Sequence, residues 1–295
     1  MSEVLPLFFN PGAGSAALVR KQLGDDPRVR LEATAPGDLK GALETLRDAA
    51  APRALVCGGD GTLALAAGIL AGSHTALAVI PGGTLNHFAR RLGLPLDLPA
   101  ALDVALQGEP HTVGVGYVND RLFLNTGAVG AYVAFVRSRD FLERRRGYVL
   151  ATLLAGFRRL LRLRSIAIAL NGETLHTPLV FVGVGERALE FPYLGQPRPG
   201  GGDGLHLIAV KTHGALQTLA LACTAMLRGL DPLAREKQVE SHILQGFELS
   251  YRRRGHPLTI ALDGEMVHAT TPLHYRYQAG GLSVVVPASG DQSSR

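Results

Sequence analysis

The first part of the chain alternates short apolar runs with helix-like runs. The apolar runs "VLPLFF", "RALVCGG" and "ALAVIPGG" are each followed by a turn and then by a longer stretch, of which "GTLALAAGILA" is the clearest. Short strand-like runs that alternate with helices are typical of parallel strands joined by crossover helices. The pattern therefore predicts an α/β domain with a mostly parallel sheet over residues 1–110.

The pattern changes after residue 110, and most of the remainder is strand-like. "HTVGVGYVNDRLFLNTGAVG" predicts two strands around a turn at Asn119 and Asp120, and "GLHLIAV" and "PLTIALDGEMVHA" predict further strands. The arginine-rich segment Tyr132–Arg164 predicts a long helix among them. We expect a β-rich, sandwich-like domain over 111–280 and an apolar strand over 281–288 that packs back onto the first domain.

Two stretches of the second part have nearly the same sequence. "IALNGETLH" covers residues 168–176 and "IALDGEMVH" covers residues 260–268. Asn-Gly and Asp-Gly between apolar runs are strong signals for a tight hairpin turn. Both stretches are predicted hairpins, and the turn alone explains Asp263, so local chemistry does not say whether either hairpin is catalytic.

Three glycine-rich loops follow predicted strands of the first domain, at Pro11–Gly14, Gly58–Gly61 and Pro81–Gly83. Ligands of parallel sheets bind at loops that leave the carboxyl ends of strands, so these loops together predict a binding site. In "CGGDGT", main-chain amides and a helix N-terminus suit a phosphate, and a carboxylate beside a phosphate implies Mg²⁺. The alternative is that Asp60 caps the helix starting near Thr62, and these residues leave both interpretations open.

The third loop continues as "PGGTLNHFARRLG" and offers two further polar side chains. Thr84 and Asn86 provide a hydroxyl and an amide where a helix is predicted to begin. Their alternative role is again N-capping.

Composition limits the classes of partner and the cellular compartment. The 295-residue chain has a net charge of +5, which suits an anionic partner, and 46% hydrophobic residues, which suit a globular protein. Two cysteines favour a reducing compartment. We expect no secretory leader, because "MSEVLPLFFN" lacks a basic region, and the longest apolar run, Ala215–Leu227, is too short to span a bilayer. Only charge would favour nucleic-acid binding, so we expect none.

Several motifs together resemble the diacylglycerol kinase catalytic domain family. They are "FFNPGAGS", "GGDGT", "PGGTLNHFARRLGLP", "FLNTGAVG", "GGGDGLHLIAV" and "LDGE", in this order. "GGDGT" alone is shared with NAD kinases and phosphofructokinases, but the combination is specific. The family includes bacterial lipid kinases and sphingosine kinases. The resemblance implies a two-domain fold, with ATP bound in the cleft and a lipid hydroxyl presented by the β-rich domain.

The resemblance also implies roles for particular residues. Glu265 matches the proposed general base, and Asp263 and Asp60 complete the implied catalytic set. Asp203 matches an aspartate that helps to organise Mg²⁺ in bacterial members, and Asp60, which matches the phosphate loop, is the second candidate near the metal. By this likeness the Asp263 hairpin is the chemical one and the Asn171 hairpin is structural. The implied nucleotide-binding residues are Asn10, Gly12, Gly14, Thr34, Gly58, Gly59, Asp60, Gly61, Thr62, Gly83, Thr84 and Asn86.

The chain departs from the family pattern at four positions. Ala64 and Leu65 replace a usual Asn-Glu pair, His87 replaces a usual Asp, and Gly185 lies where an Asn is usual. The predicted function is a cytoplasmic lipid kinase that uses ATP and Mg²⁺ to phosphorylate a diacylglycerol-like or sphingoid-like lipid. The alternatives are an inactive nucleotide- or lipid-binding homologue and an NAD kinase.

The sequence leaves membrane contact, the acceptor lipid and the oligomeric state open. The arginines of Tyr132–Arg164 suit either the surface of an anionic membrane, contacted peripherally, or a solvated helix face. The sequence names neither the acceptor lipid nor the oligomeric state, for which a homodimer is one option.

Overall fold

A computed structural model describes residues 4–130, 166–170, 173–177, 179–189, 195–211, 239–251 and 257–288. The chain divides into two compact units, Met1–Val115 with Ala279–Arg295 (unit 1) and Gly116–Gln278 (unit 2). The predicted segments Tyr132–Arg164 and Ala215–Leu227 lie outside the described residues. The assignment of nucleotide binding to the first part and lipid binding to the second stays a prediction.

Unit 1 is built around parallel strands. Its strands are β1 (Leu5–Phe9), β2 (Val29–Ala33), β3 (Arg53–Gly58) and β4 (Ala76–Pro81), in the order β2-β1-β3-β4. Its helices are α1 (Ala16–Leu23), α2 (Pro36–Asp48), α3 (Asp60–Leu70), α4 (His87–Arg91) and α5 (Leu98–Gln107). The predicted α/β architecture with a mostly parallel sheet is confirmed.

The core of unit 1 lies between its strands and helices. All residues of β4 are buried, as expected for a strand covered on both faces. Helices α1 and α5 pack on the sheet through residues such as Val19 and Leu102. Helix α5 was not among the predicted elements; it begins where the Asp97 carboxylate accepts a hydrogen bond from the Ala100 N–H at 3.2 Å.

Unit 2 is rich in antiparallel strands. After β5 (Glu109–Val118) come β6 (Arg121–Phe123), β7 (Thr126–Gly130), β8 (Ile166–Leu170), β9 (Glu173–Thr177), β10 (Leu179–Val184), β11 (Leu205–Val210), β12 (Val239–Leu244), β13 (Gly246–Tyr251), β14 (Pro257–Leu262), β15 (Glu265–Thr270) and β16 (Leu273–Val286). One sheet has the order β12-β11-β10-β7-β14-β15. The β8–β9 and β14–β15 pairs confirm both predicted hairpins.

A second layer of unit 2 covers that sheet. Strand β13 pairs with β8 and with the first residues of β16. The core between the layers includes Phe247 and Tyr275 from this layer, whose rings stack with centroids 4.6 Å apart, and Val182 and Ile260 from the other sheet. The predicted β-rich, sandwich-like fold is therefore confirmed.

The last strand is longer than predicted. The expected strand over 281–288 is the end of β16, which starts at Leu273 beside β13 and reaches unit 1, where Val284 pairs in parallel with Leu77 of β4. In the described ranges, no helix combines the length and hydropathy needed to cross a membrane.

Candidate active site

The three glycine-rich loops of unit 1 begin at the same edge of its sheet. Cα pairing of Phe9 with Cys57, and of Cys57 with Ile80, sets the carboxyl ends of β1, β3 and β4 level with one another. Loops that leave parallel strands at this edge form the usual ligand site of such sheets.

Two of these loops, after β3 and β4, touch through their backbones. A methyl group on Gly83 would lie 2.5 Å from the Cα atom of Gly59, and one on Gly82 would lie 3.2 Å from the Cα atom of Gly58. A methyl group on Gly58 would lie 2.6 Å from Cβ of Thr62. A side chain on Gly83 would therefore separate the two loops, whereas one on Gly58 would collide with the Thr62 side chain in α3. By contrast, nothing lies within 4 Å of the corresponding position at Gly14.

Asp60 joins the same two loops through its side chain. Helix α3 begins at Asp60, and its N-cap residue is Gly59, which has no side chain that could cap the helix. The Asp60 carboxylate instead accepts hydrogen bonds from the main-chain N–H groups of His87 at 3.1 Å and Phe88 at 2.9 Å. Asp60 therefore caps α4, and the alternative that it caps the helix starting near Thr62 is wrong. Its roles toward phosphate and Mg²⁺ stay predictions.

Asn86 holds the third loop in shape. Its backbone is left-handed, with φ of 51°, and its side chain is buried. The side-chain Oδ1 accepts the Gly83 N–H, and Nδ2 donates to the Gly83 carbonyl, both at 2.8 Å. Asn86 occupies the N-cap position of α4 without a capping bond, so the capping alternative is wrong for it. Thr84, in the same loop, is exposed to solvent.

The remaining polar residues predicted to bind the nucleotide line the same edge. Oδ1 of Asn10 accepts the Gly12 N–H at 2.8 Å and so closes the loop after β1. The Thr34 N–H donates to the Phe9 carbonyl at 2.9 Å, which places Thr34 beside the end of β1. Unit 1 thus brings the predicted nucleotide-binding residues together on one side of its sheet.

In unit 2, the Asp-Gly turn between β14 and β15 is held by its own aspartate. Asp263 has φ of 48° and Gly264 has φ of 89°, as a tight hairpin turn requires. The Asp263 carboxylate accepts the main-chain N–H groups of Leu124 at 2.6 Å, Asn125 at 2.7 Å and Thr126 at 2.9 Å. Glu265 is exposed, and its side chain makes no hydrogen bond or ion pair with the described part of the chain.

The segment Leu124–Thr126 is also held from its other side. The Asn125 carbonyl accepts hydrogen bonds from the Val184 N–H at 2.9 Å and from Nη2 of Arg187 at 2.6 Å. Arg187 is buried, and its main-chain N–H donates a hydrogen bond to Nδ1 of His206 at 2.8 Å. Burial lowers the pKa of His206, which favours the neutral ring that accepts this bond.

Sequence reasoning gave no role to Arg187 or His206. His206 lies in the "GGGDGLHLIAV" motif, but its contact with Arg187 is 19 residues away, and the Asn125 carbonyl that Arg187 binds is 62 residues away, so neither contact can be read from the local sequence. Asn125 lies in the "FLNTGAVG" motif, and its buried Oδ1 has no hydrogen-bond partner within the described ranges.

Asp203 lies in a loop that is held by hydrogen bonds to the Glu186 side chain. The Glu186 carboxylate accepts the Gly202 N–H at 2.9 Å and Nη1 of Arg198 at 2.7 Å. The hydrogen bond from Gly202, followed by that from Arg198, lowers the pKa of Glu186. Asp203 itself is exposed, and the Tyr277 hydroxyl lies 3.4 Å from its Oδ1.

The described residues offer a magnesium ion separate carboxylates and not a cluster of ligands. Among the described residues, no group of three or more His, Cys, Asp or Glu side chains is placed to bind a metal. Mg²⁺ usually binds through one or two carboxylates together with substrate phosphates and water. The exposed carboxylate of Asp203 is of the type that such an ion uses.

Comparison with known proteins identifies relatives of this chain. The family model described as "Diacylglycerol kinase catalytic domain" matches residues 5–118. A protein of Pseudomonas putida named "Probable lipid kinase YegS-like" is 30% identical, and the match covers 92% of this chain and 90% of the relative. A protein of Staphylococcus epidermidis named "Diacylglycerol kinase" is 35% identical over 42% of each chain.

The fold is also similar to that of solved structures. The crystal structure of a diacylglycerol kinase from Bacillus anthracis superposes with a TM-score of 0.67, covering 97% of this chain and 98% of that chain at 20% identity. At this identity the likeness supports the fold alone.

Proposed function

Because the chain belongs to the diacylglycerol kinase catalytic domain family and is a lipid kinase, we propose that it transfers the γ-phosphoryl group of ATP to a lipid hydroxyl. The acceptor class that we propose is a diacylglycerol-like or sphingoid-like lipid. The reaction forms a bond between the lipid oxygen and the γ-phosphorus and breaks the bond from that phosphorus to the bridging oxygen of ADP.

One observation carries the proposal for the nucleotide. The loops after β3 and β4 pack backbone against backbone, with Gly83 against Gly59. The N–H groups of Gly12 and Gly83 already donate to Asn10 and Asn86, so the donors that we propose for phosphate oxygens are those at the N-terminus of the helix after the β3 loop, where the positive end of the helix also favours an anion. This helix, α3, starts at Asp60, directly after that loop. This arrangement supports ATP binding at the edge of unit 1.

The proposed chemistry divides the work among three carboxylates. Phosphoryl transfer needs charge neutralisation, alignment and an acceptor for the hydroxyl proton. Glu265 is the proposed general base, and its exposed carboxylate makes no bond to the described residues that would have to break first. Asp203 and Asp60 are the proposed residues around Mg²⁺, which would neutralise phosphate charge. Asp60 would do this while it caps α4.

The deciding experiment is transfer of radiolabel from [γ-³²P]ATP to a panel of acceptors in mixed micelles. The panel contains diacylglycerol, a sphingoid base, ceramide, phosphatidylglycerol and a polyprenol, and a separate arm offers NAD. Label in a lipid product that depends on both Mg²⁺ and Glu265 supports the proposal. Label in NAD would instead identify an NAD kinase, and binding of ATP without any transfer would identify an inactive homologue.

We also propose that the protein is cytoplasmic and contacts an anionic membrane peripherally. The clusters Arg144–Arg146 and Arg158–Arg159, which lie outside the described residues, are the candidates for this contact. Each arginine near an anionic surface contributes about 1 kcal/mol. Replacing both clusters with glutamine should weaken binding to phosphatidylserine vesicles and reduce turnover there, while turnover of a short-chain soluble lipid is retained. Equal loss on both substrates would contradict the proposal.

A further inference from the structure

We propose that Asp263 is a positioning residue that sets the place of Glu265, and that it takes no direct part in phosphoryl transfer. This inference rests on the proposed function, in which Glu265 is the general base. It separates two carboxylates of the "LDGE" motif that sequence alone treats as one catalytic pair.

The first argument is the occupation of the Asp263 carboxylate. Its Oδ1 accepts the N–H groups of Asn125 and Thr126, and its Oδ2 accepts the N–H of Leu124 at 2.6 Å. A carboxylate offers about four acceptor directions, so three of them are filled by main-chain donors. These three charge-assisted bonds fix the carboxylate to the segment Leu124–Thr126, and a metal ion or a proton could reach it only beside these donors.

The second argument is the shape of the turn. Asp263 and Gly264 both have positive φ, which matches a two-residue turn whose twist suits the two strands. A left-handed backbone is unfavourable for a residue with a side chain unless the surroundings hold it there. The Asp263 N–H also donates to the Thr126 carbonyl at 2.8 Å, so the residue is fixed through both backbone and side chain.

The third argument is the rigidity of the anchor. Leu262 pairs with Gly127 of β7 on one side and with Glu265 of β15 on the other. The anchor segment Leu124–Thr126 is bonded in turn to Val184 and Arg187 through the Asn125 carbonyl. The backbone pairing of Glu265 with Leu262, and of Leu262 with Gly127, therefore connects Glu265 directly to β7.

Glu265 is the opposite kind of carboxylate. It is the first residue of β15, directly after the turn, and its exposed side chain has no hydrogen-bond or ion-pair partner among the residues that the structure describes. A catalytic base must be accessible to the substrate, and its place must be set by other groups. Misplacement by about 1 Å of a reacting group can cost about 100-fold in rate, so loss of the Asp263 anchor should act on turnover.

The test is a double-mutant cycle of Asp263→Asn and Glu265→Gln, measured by radiolabel transfer at high enzyme concentration. In Asp263→Asn, the new amide NH₂ group faces at least one main-chain donor, so the anchor weakens while the size of the side chain is kept. We expect kcat to fall about 10-fold or more, with the KM for ATP and for lipid changed by less than about 2-fold. In the Glu265→Gln background, the same change should lower kcat by less than about 2-fold, because no base remains to be positioned.

The inference would be overturned if Asp263→Asn lowered kcat by the same factor in the Glu265→Gln background as in the wild-type protein, so that the two losses multiply in the double variant. That result means either that Asp263 acts on the reacting groups by itself or that its loss lowers the folded fraction in both backgrounds equally. A Glu265→Gln variant with wild-type turnover would overturn the general-base assignment and this inference together, whereas multiplied losses overturn the inference alone.

A second variant keeps the test decisive if Asp263→Asn fails to fold. Gly264 has φ of 89°, and nothing lies within 4 Å of where its methyl group would be, so Gly264→Ala strains the turn without a clash and leaves the Asp263 carboxylate intact. The same loss of kcat, again absent in the Glu265→Gln background, supports positioning through the turn. A loss that multiplies with Glu265→Gln contradicts it.

Discussion

Asp60 is the residue at which a structural and a chemical role can be separated by measurement. Its carboxylate caps α4 through the N–H groups of His87 and Phe88, and the proposed function also places it near phosphate and Mg²⁺. Replacement by alanine removes both roles, whereas replacement by asparagine keeps one capping bond and removes the charge. The three forms of the protein therefore answer different questions.

The stability that Asp60→Ala should lose is small compared with the total free energy of unfolding. Loss of an N-cap side chain costs about 1 kcal/mol and up to about 2 kcal/mol. For Asp60→Ala, with two bonds lost from a half-buried carboxylate, we expect about 1–2 kcal/mol and a fall in Tm of about 5 °C. Domains are stable by roughly 5–15 kcal/mol, so nearly all molecules remain folded at assay temperature. Stability alone should then change kcat by less than about 2-fold.

The assay compares kcat for radiolabel transfer with Tm from circular dichroism. Asp97→Ala is the matched control, because Asp97 caps α5 through one bond to the Ala100 N–H and belongs to no proposed site. We expect this control to lose about 1 kcal/mol of stability and to keep its turnover. Asp60→Ala and Asp60→Asn should both lose about 100-fold or more in kcat. Both variants remove the negative charge of the carboxylate, and a neutral amide cannot replace that charge beside the metal ion on the phosphates.

One result would refute this reasoning directly. If Asp60→Asn keeps the turnover of the wild-type protein while Asp60→Ala loses stability, the charge has no part in the reaction. Asp60 would then be the cap of α4 and nothing more.

Three further predictions test the base, the loop contact and the pH dependence of stability. Glu265→Gln should lose about 100-fold or more in kcat, whereas Glu173→Gln, in the hairpin of nearly identical sequence, should lose little, and equal losses would contradict the general-base role. Gly83→Ala should cost about 1–3 kcal/mol, because its methyl group would lie 2.5 Å from the Cα atom of Gly59, while Gly68→Ala in α3, which has open space, should not destabilise. Burial lowers the pKa of His206 below its ordinary value of 6.5, so the unfolded chain binds the proton more readily and the free energy of unfolding should fall as pH drops below about 6.5. Chemical denaturation at about pH 5 and about pH 8 should show this loss in the wild-type protein and a smaller one in His206→Gln; an equal pH dependence would refute the assignment.

The order of elements was predictable because it depends on local patterns. Alternating apolar runs and helical stretches predicted the parallel sheet of unit 1, and the Asn-Gly and Asp-Gly pairs predicted both hairpins of unit 2. Such patterns act over a few residues, since burial on one face and turn geometry are properties of neighbouring side chains. Helix α5 was missed although its cap and periodicity are also local.

The sequence by itself also determined the family, through motifs whose order and spacing are specific. It did not determine what the carboxylates of these motifs bind. The partners of Asp60 are 27 and 28 residues away, and those of Asp263 are 137 to 139 residues away. Only the pairing of β3 with β4, and of β7 with β14, brings those amides within hydrogen-bond distance. Local sequence therefore placed both carboxylates in turns, and tertiary structure decided which helix one of them caps and which segment the other anchors.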